Sequence, residues 1–182
     1  MTSREALVDA TKELLSTQGY EATSPSQIQS VSGVGQGSFY HHFDGKADLA
    51  SAALTALAAE MCAQFDKLSD GEGLAVADAY LSHPRDALAG CRIGRITMES
   101  SLEDDRIRTP IATYFAHLRA RLSEAFGGLD LSIDAAALAD LAIAAVQGSY
   151  VVARATGDPQ AQANATSALH ALVHQASERS AP

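Results

Sequence analysis

Charge is scarce in this chain. Asp, Glu, Lys and Arg make up 19% of its 182 residues, hydrophobic residues make up 47%, and mean hydropathy is −0.01. Disordered chains have the opposite balance, so a packed core is expected. Cysteine is limited to Cys62 and Cys91, which excludes a disulfide scaffold and points to a reducing compartment. No covalent staple is needed, since a chain of this length, close to one domain's worth, buries roughly 70% of its unfolded surface. Val, Ile and aromatic residues are far outnumbered by Ala, which weakens the case for strands and favours helices. The N-terminus, Met1-Thr2-Ser3-Arg4-Glu5, lacks the apolar run of a signal peptide. No stretch of about 18 residues is free of polar interruption, so the expectation is a cytoplasmic protein with no membrane span. Basic side chains number 13 against 22 acidic, a net charge of −9. That balance argues against a surface gripping nucleic acid everywhere and confines any such contact to a local patch.

The expected fold is all-α. Thr2 and Glu5 have capping-box spacing, Leu7, Ala10, Leu14 and Leu15 follow on one helical face, and Gly19 stops the helix. Ser24-Pro25-Ser26-Gln27 combines a cap, a proline at the first helical position and a Gln three residues after the cap, opening a second short helix with Ile28 and Val31. Gly33 breaks it, and a third short helix carries Phe39 and Phe43 at four-residue spacing, completing a helix-turn-helix. Leu54, Leu57, Met61, Phe65 and Leu68 then mark a long helix, ended by Asp70-Gly71-Glu72-Gly73. Further helices are expected at Leu74 to Leu81, at Arg92 to Leu102, and along Ile107, Ile111, Phe115, Leu118, Leu122 and Phe126, where Thr109 caps a later start or Pro110 bends the helix. Two Ala-rich helices follow, at about 133 to 157 and 159 to 177. Their thin faces, with Ala145, Gly148, Ser149 and Ala153 on one and Ala165, Leu169, Leu172 and Ala176 on the other, suit either a second subunit or packing within the monomer. About nine helices are expected in all.

Residues 4 to 49 resemble a known family. Ala10, Gly19-Tyr20, Thr23-Ser24, Ile28, Ser32-Gly33-Val34, Gly37-Ser38-Phe39-Tyr40, His42-Phe43, Lys46 and Leu49 stand at the offsets of the N-terminal signature of TetR-type transcriptional repressors. Gly90-Cys91-Arg92-Ile93-Gly94-Arg95 and Gln147-Gly148-Ser149-Tyr150 are similar, less specifically, to parts of that family's larger half. The resemblance implies a helix-turn-helix DNA-binding domain at 1–46 and a helical ligand-binding and dimerisation domain at 47–182. It further implies a ligand-responsive regulator, a repressor by family habit, that binds a palindromic double-stranded DNA operator as a homodimer. The residues suit those roles. Ser24, Pro25 and Ser26 open a helix whose hydroxyls and amides can receive a phosphate. Gln36 and Ser38 can read base edges, and Gly37 permits close approach. Tyr40 and His41 are placed like family residues that touch the backbone or a thymine methyl, and Lys46 like the family's phosphate-binding lysine.

Simpler roles stand beside these. Phe39 and Phe43 read as core, His42 reads better as packed beneath the motif than as a reader, and Ser24 is explained by capping alone. Gly35 replaces the Ser or Thr that often caps the recognition helix, so that helix starts weakly. Residues 1 to 50 carry three basic side chains, Arg4, Lys12 and Lys46, against six acidic ones, a net charge of −3. DNA affinity must therefore lean on amide and hydroxyl donors together with Lys46.

For the larger half, family placement suggests an effector pocket lined by Phe65, Leu81, Met98, Tyr114, Phe115, Leu118, Gln147 and Tyr150, suited to a hydrophobic or aromatic small molecule. The dimer interface is expected at Ala145, Gly148, Ala165, Leu169 and Leu172. No cofactor, metal or catalytic residue is expected. His170 and His174 are four apart, as metal ligands often are, but no His-Glu-x-x-His or Glu-x-x-His pattern supports them, and they read as exposed or interface histidines. Glu103-Asp104-Asp105 reads as a solvated turn, and Cys91, though beside Arg92 and Arg95, as structural. There is no Gly-rich phosphate loop and no Gly-x-Ser-x-Gly elbow. The alternative is a helical small-molecule-binding protein that never touches DNA.

Overall fold

In the computed structural model, residues 1–69, 71–129 and 131–180 are described; Asp70, first residue of the expected break, lies outside them. Eight α-helices and two 3-10 turns account for the described fold, which contains no strand among those residues. The chain forms two compact units, one of residues 1–61 and 91–114, the other of 62–90 and 115–182.

The first unit is organised by helix ends. Helix α1 (Ser3–Gln18) begins with the complete capping box of Thr2 and Glu5, and Gly19 closes it at φ +88°. Helix α2 (Pro25–Ser32) has a second complete box, Ser24 with Gln27, and ends at Gly33 in the left-handed region. Each box satisfies two otherwise orphaned N–H groups. Helix α3 (Gln36–His42) starts at Gly35 with no side-chain cap, as its sequence implies. Leu7, Ile28, Phe39, Phe43 and Leu49 form the buried cluster that joins α1, α2, α3 and the start of α4 (Lys46–Leu68).

The segment before α6 departs from expectation. Arg92 to Leu102 forms no α-helix, but two 3-10 turns, Gly94–Met98 and Ser100–Glu103. Ile93 and Ile96 are both fully buried, and a spacing of three residues matches the three-residue period of a 3-10 turn. Glu99, extended at φ −96° and ψ 151°, separates the two turns. Helix α6 (Asp105–Gly127) runs through Pro110, and its cap is Asp104 rather than Thr109: the Asp104 carboxylate accepts from the Arg106 N–H at 2.9 Å. The acidic run is thus a helix start, with Asp104 also paired to the Arg106 side chain and Asp105 to Arg108.

The second unit contains the end of α4, α5 (Leu74–Ser82), most of α6, α7 (Ala135–Thr156) and α8 (Gln160–Ser180). Helix α8 packs against both α5 and α7. The α7 face expected to be uniformly thin is split: Ser149 and Ala153 are buried, while Gly148 is exposed. Helix α7 is the one helix among the described residues long and apolar enough to cross a membrane by length and composition, with mean hydropathy 1.5, despite the polar interruptions at Asp140, Gln147 and Arg154.

Candidate nucleic-acid interface and effector half

Helix α3 divides its side chains cleanly. Phe39 is fully buried and Phe43, just past the helix, nearly so, while Gln36, Gly37, Tyr40 and His41 are exposed and Tyr40 retains 56% of its surface. A seven-residue helix has little stability of its own, so the two phenylalanines hold it and leave the opposite stripe free to make contacts. Ser38 is half-buried on the edge of that stripe. His42 is half-buried with its ring 4.9 Å from that of His41.

The start of α2 uses its hydroxyls internally. The Gln27 N–H donates to Ser24 Oγ at 3.3 Å, the Ser24 N–H donates to Gln27 Oε1 at 2.8 Å, and the Ser24 and Ser26 hydroxyls lie 3.0 Å apart. Ser24 is therefore a cap, and Ser26, exposed, is the freer of the two hydroxyls. Pro25 occupies the first helical turn.

The basic groups are few and each is engaged. Lys12 lies 2.8 Å from Asp9 and 2.5 Å from Glu60, and hydrogen bonding to those two carboxylates raises its pKa above the ordinary lysine value. The Arg4 guanidinium stands 5.2 Å from the Phe43 ring centre. Lys46 Nζ sits 4.0 Å over the Tyr20 ring, where partial burial lowers its pKa against the opposing pull of Glu99 and Glu21. Tyr20 is part of the sequence signature, but its contact with Lys46, 26 residues on, is set by packing and not by local spacing.

Sequence reasoning also missed the segment that holds this corner. Glu99 accepts from the backbone N–H groups of Tyr20 and Glu21, and Glu21 in return accepts from the N–H and hydroxyl of Ser100 at 2.9 and 2.6 Å. Arg95 donates to the Thr17 carbonyl. These partners are 78 or 79 residues apart, and no local spacing announces them.

The expected pocket residues fall in both units. Phe65 and Leu81, in the second unit, are buried, and Phe65 meets Tyr80 edge-on at 5.6 Å between ring centres. Leu118 is buried, and Phe115, Gln147 and Tyr150 are half-buried. Tyr114 is buried in the first unit. Met98 is 86% exposed, because its 3-10 turn buries Ile96 instead. A groove of about 440 Å³ does lie in the second unit, between the end of α5 and α8. Leu81 is the one expected residue among its lining; His83, Arg85, Gln162, Thr166 and His170 line it too. Burial lowers the His83 pKa, reinforced by Arg85.

Of the expected interface residues, Gly148 is exposed, Ala145 and Ala165 are half-buried, and Leu172 is 60% exposed. Leu169 is 7% exposed and belongs to the core of its own unit, since it faces inward with Val173. Exposed apolar side chains that sequence reasoning did not single out, Leu141, Val151 and Val152, share α7 with Gly148. Cys62 and Cys91 are free; burial raises the Cys62 thiol pKa, and Cys91 Sγ accepts from the Gly94 N–H at 3.3 Å.

Comparison with known proteins gives the family. Residues 7–53 match the model of bacterial regulatory proteins of the tetR family, and residues 74–167 match that of the LmrA/YxaF-like transcriptional regulator C-terminal domain. The chain belongs to the TetR family of helix-turn-helix transcriptional regulators. It is 26% identical over 169 residues to an uncharacterized HTH-type transcriptional regulator in the lacX 3′ region of Lactococcus lactis subsp. lactis, covering 86% of this chain and 85% of that one. In fold it is similar to a TetR family regulator from Agrobacterium tumefaciens (TM-score 0.82, 22% identity, 96% and 97% of the two chains). It is also similar to one from Cytophaga hutchinsonii (TM-score 0.84, 19% identity, 96% and 94%).

Proposed function

We propose that this regulator acts in the cytoplasm as a ligand-responsive homodimer, a repressor and not an enzyme, that recognises a palindromic operator. The functional division is 1–46 for DNA and 47–182 for effector binding and dimerisation. The observation that carries the reading is the exposed stripe of α3, Gln36, Gly37, Tyr40 and His41, backed by buried Phe39 and Phe43. Gln36 and Ser38 read base edges, Tyr40 and His41 contact the backbone or a thymine methyl, and Ser24, Pro25, Ser26 and Lys46 position the duplex through phosphates. Two copies meet through the exposed apolar stripe of α7 and Leu172 of α8, an isologous contact that spaces two reading heads.

The effector is a hydrophobic or aromatic small molecule, received within the second unit by Phe65, Leu81, Phe115, Leu118, Gln147 and Tyr150. Helix α4 carries Lys46 in its first turn and Phe65 in its last, so the same helix contributes to both functions. A ligand shifts DNA binding only through unequal affinity for the two arrangements of that element, typically about 1–3 kcal/mol. The test is selection of operators from random duplex DNA, followed by binding of the enriched site with and without candidate effectors. Enrichment of a palindrome supports the reading. A selection that enriches nothing overturns it and leaves a helical small-molecule-binding protein.

A further inference from the structure

In the second unit, α5 and α8 bring together three side chains with no part in the reading above. The Nε2 atoms of His170 and His174 lie 2.8 and 2.6 Å from the same oxygen, Asp78 Oδ1. The two rings are 4.4 Å apart at their centres, and the three candidate donor atoms all fall within 4.8 Å of one another. The geometry points to a binding site for a divalent first-row transition metal ion of the zinc class, held by Asp78, His170 and His174.

The case rests on donor chemistry and on what holds the donors. Two imidazole nitrogens and one carboxylate oxygen suit zinc, cobalt or nickel, whereas magnesium and calcium prefer all-oxygen surroundings. Ligand atoms in a tetrahedral zinc site stand about 3.3 Å apart, given bonds of about 2.0–2.1 Å. The 2.6 and 2.8 Å contacts must open slightly to reach that spacing, a movement within side-chain rotation. In the ion-free chain both imidazoles can bond the shared oxygen only by donating from Nε2–H. When the ion binds, each ring presents a deprotonated Nε2 as ligand, with its remaining proton on Nδ1.

The supporting backbones are fixed. On α5, Val76, Ala77, Tyr80 and Leu81 are buried around Asp78, and on α8, Leu169 and Val173 are buried beside the histidines. The four-residue spacing of His170 and His174 puts both rings on one face of α8, which favours chelation by preorganisation. The His170, His174 and Asp78 side chains keep 34%, 33% and 41% of their surface, so remaining coordination positions are open to water or to a small ligand. His170 also lines the 440 Å³ groove, which gives such a ligand a way in.

The test uses the full chain, without an affinity tag and stripped by chelator, titrated with zinc chloride by calorimetry and with cobalt chloride by visible absorption. The expected result is one ion per chain and a cobalt spectrum of nitrogen and oxygen ligation. Asp78→Asn, His170→Gln and His174→Gln should each weaken binding by at least about tenfold, while His117→Gln, which disturbs a His–Asp pair outside this cluster, should leave it unchanged. Circular dichroism of each variant checks folding. Should one fail to fold, the remaining single variants and the wild-type cobalt spectrum still decide the matter. Absence of zinc binding to the wild type, or equal affinity in the three variants, overturns the site.

Discussion

Glu99 holds Tyr20 in place through its main chain: the carboxylate accepts from the Tyr20 N–H at 3.2 and 3.1 Å and from the next N–H, that of Glu21, at 3.0 Å. The turn between α1 and α2 is thereby fixed by a residue far along the chain, and Tyr20 in turn lies under Lys46. Glu99→Ala should lower stability by about 1.5–3 kcal/mol, the range for hydrogen bonds to a charged group. Gly19→Ala should be at least as damaging, because φ is +88° and a Cβ there would stand 1.9 Å from Glu99 Oε1. Urea denaturation of the two variants measures both losses, and a Glu99→Ala midpoint equal to wild type would mean that the clamp adds nothing.

The Glu21 carboxyl should titrate below the ordinary glutamate value, chiefly because the Ser100 hydroxyl donates to its charged form, with backbone N–H groups and Lys46 adding to the effect. A depressed carboxyl pKa contributes stability that is present above the unfolded value and is lost as pH falls through the folded one. In an NMR titration, Ser100→Ala should move Glu21 back towards the ordinary value. The same substitution should reduce the acid sensitivity of stability across the range just below it.

On DNA, Gln36→Ala should lose discrimination at one or two base pairs by about 1–3 kcal/mol, since its exposed amide offers both a donor and an acceptor. Lys46→Ala should instead weaken all sequences alike and reduce the salt slope by about one. Fluorescence anisotropy with matched and mismatched duplexes over a salt series separates the two patterns. Equal loss across sequences for Gln36→Ala would remove it from the reading surface.

For the dimer, Gly148 is the informative position. A Cβ added there meets nothing within 4 Å in its own chain, and an interior helical Gly costs about 1 kcal/mol relative to Ala. Gly148→Leu should therefore leave the protomer's helicity and stability intact while weakening self-association, because a two-fold interface carries the intrusion twice. Sedimentation velocity across a concentration series reads this directly; an undisturbed dimer would place the interface elsewhere.

The helix-turn-helix was legible because its determinants are local. Capping boxes at Thr2/Glu5 and Ser24/Gln27 act within four residues, glycines at 19 and 33 end helices by their own backbone freedom, and Phe39 and Phe43 share a helical face by spacing alone. Local pattern failed where a second element chose between conformations or faces. Arg92 to Leu102 contains helix formers, but the pull of Ile93 and Ile96 into the core and of Glu99 onto the Tyr20 N–H gave 3-10 turns. Leu169 and Leu172 looked alike in the Ala-rich pattern; the packing of α8 buried one and left the other exposed. His170 and His174 carried the right spacing for a chelate, yet their third partner, Asp78, is 96 residues from His174. Hydrogen bonding and side-chain period act over single turns of chain, so the sequence determined where helices start, stop and carry apolar faces. Which distant carboxylate meets which amide or imidazole depends on how helices pack, and only the tertiary structure decided that.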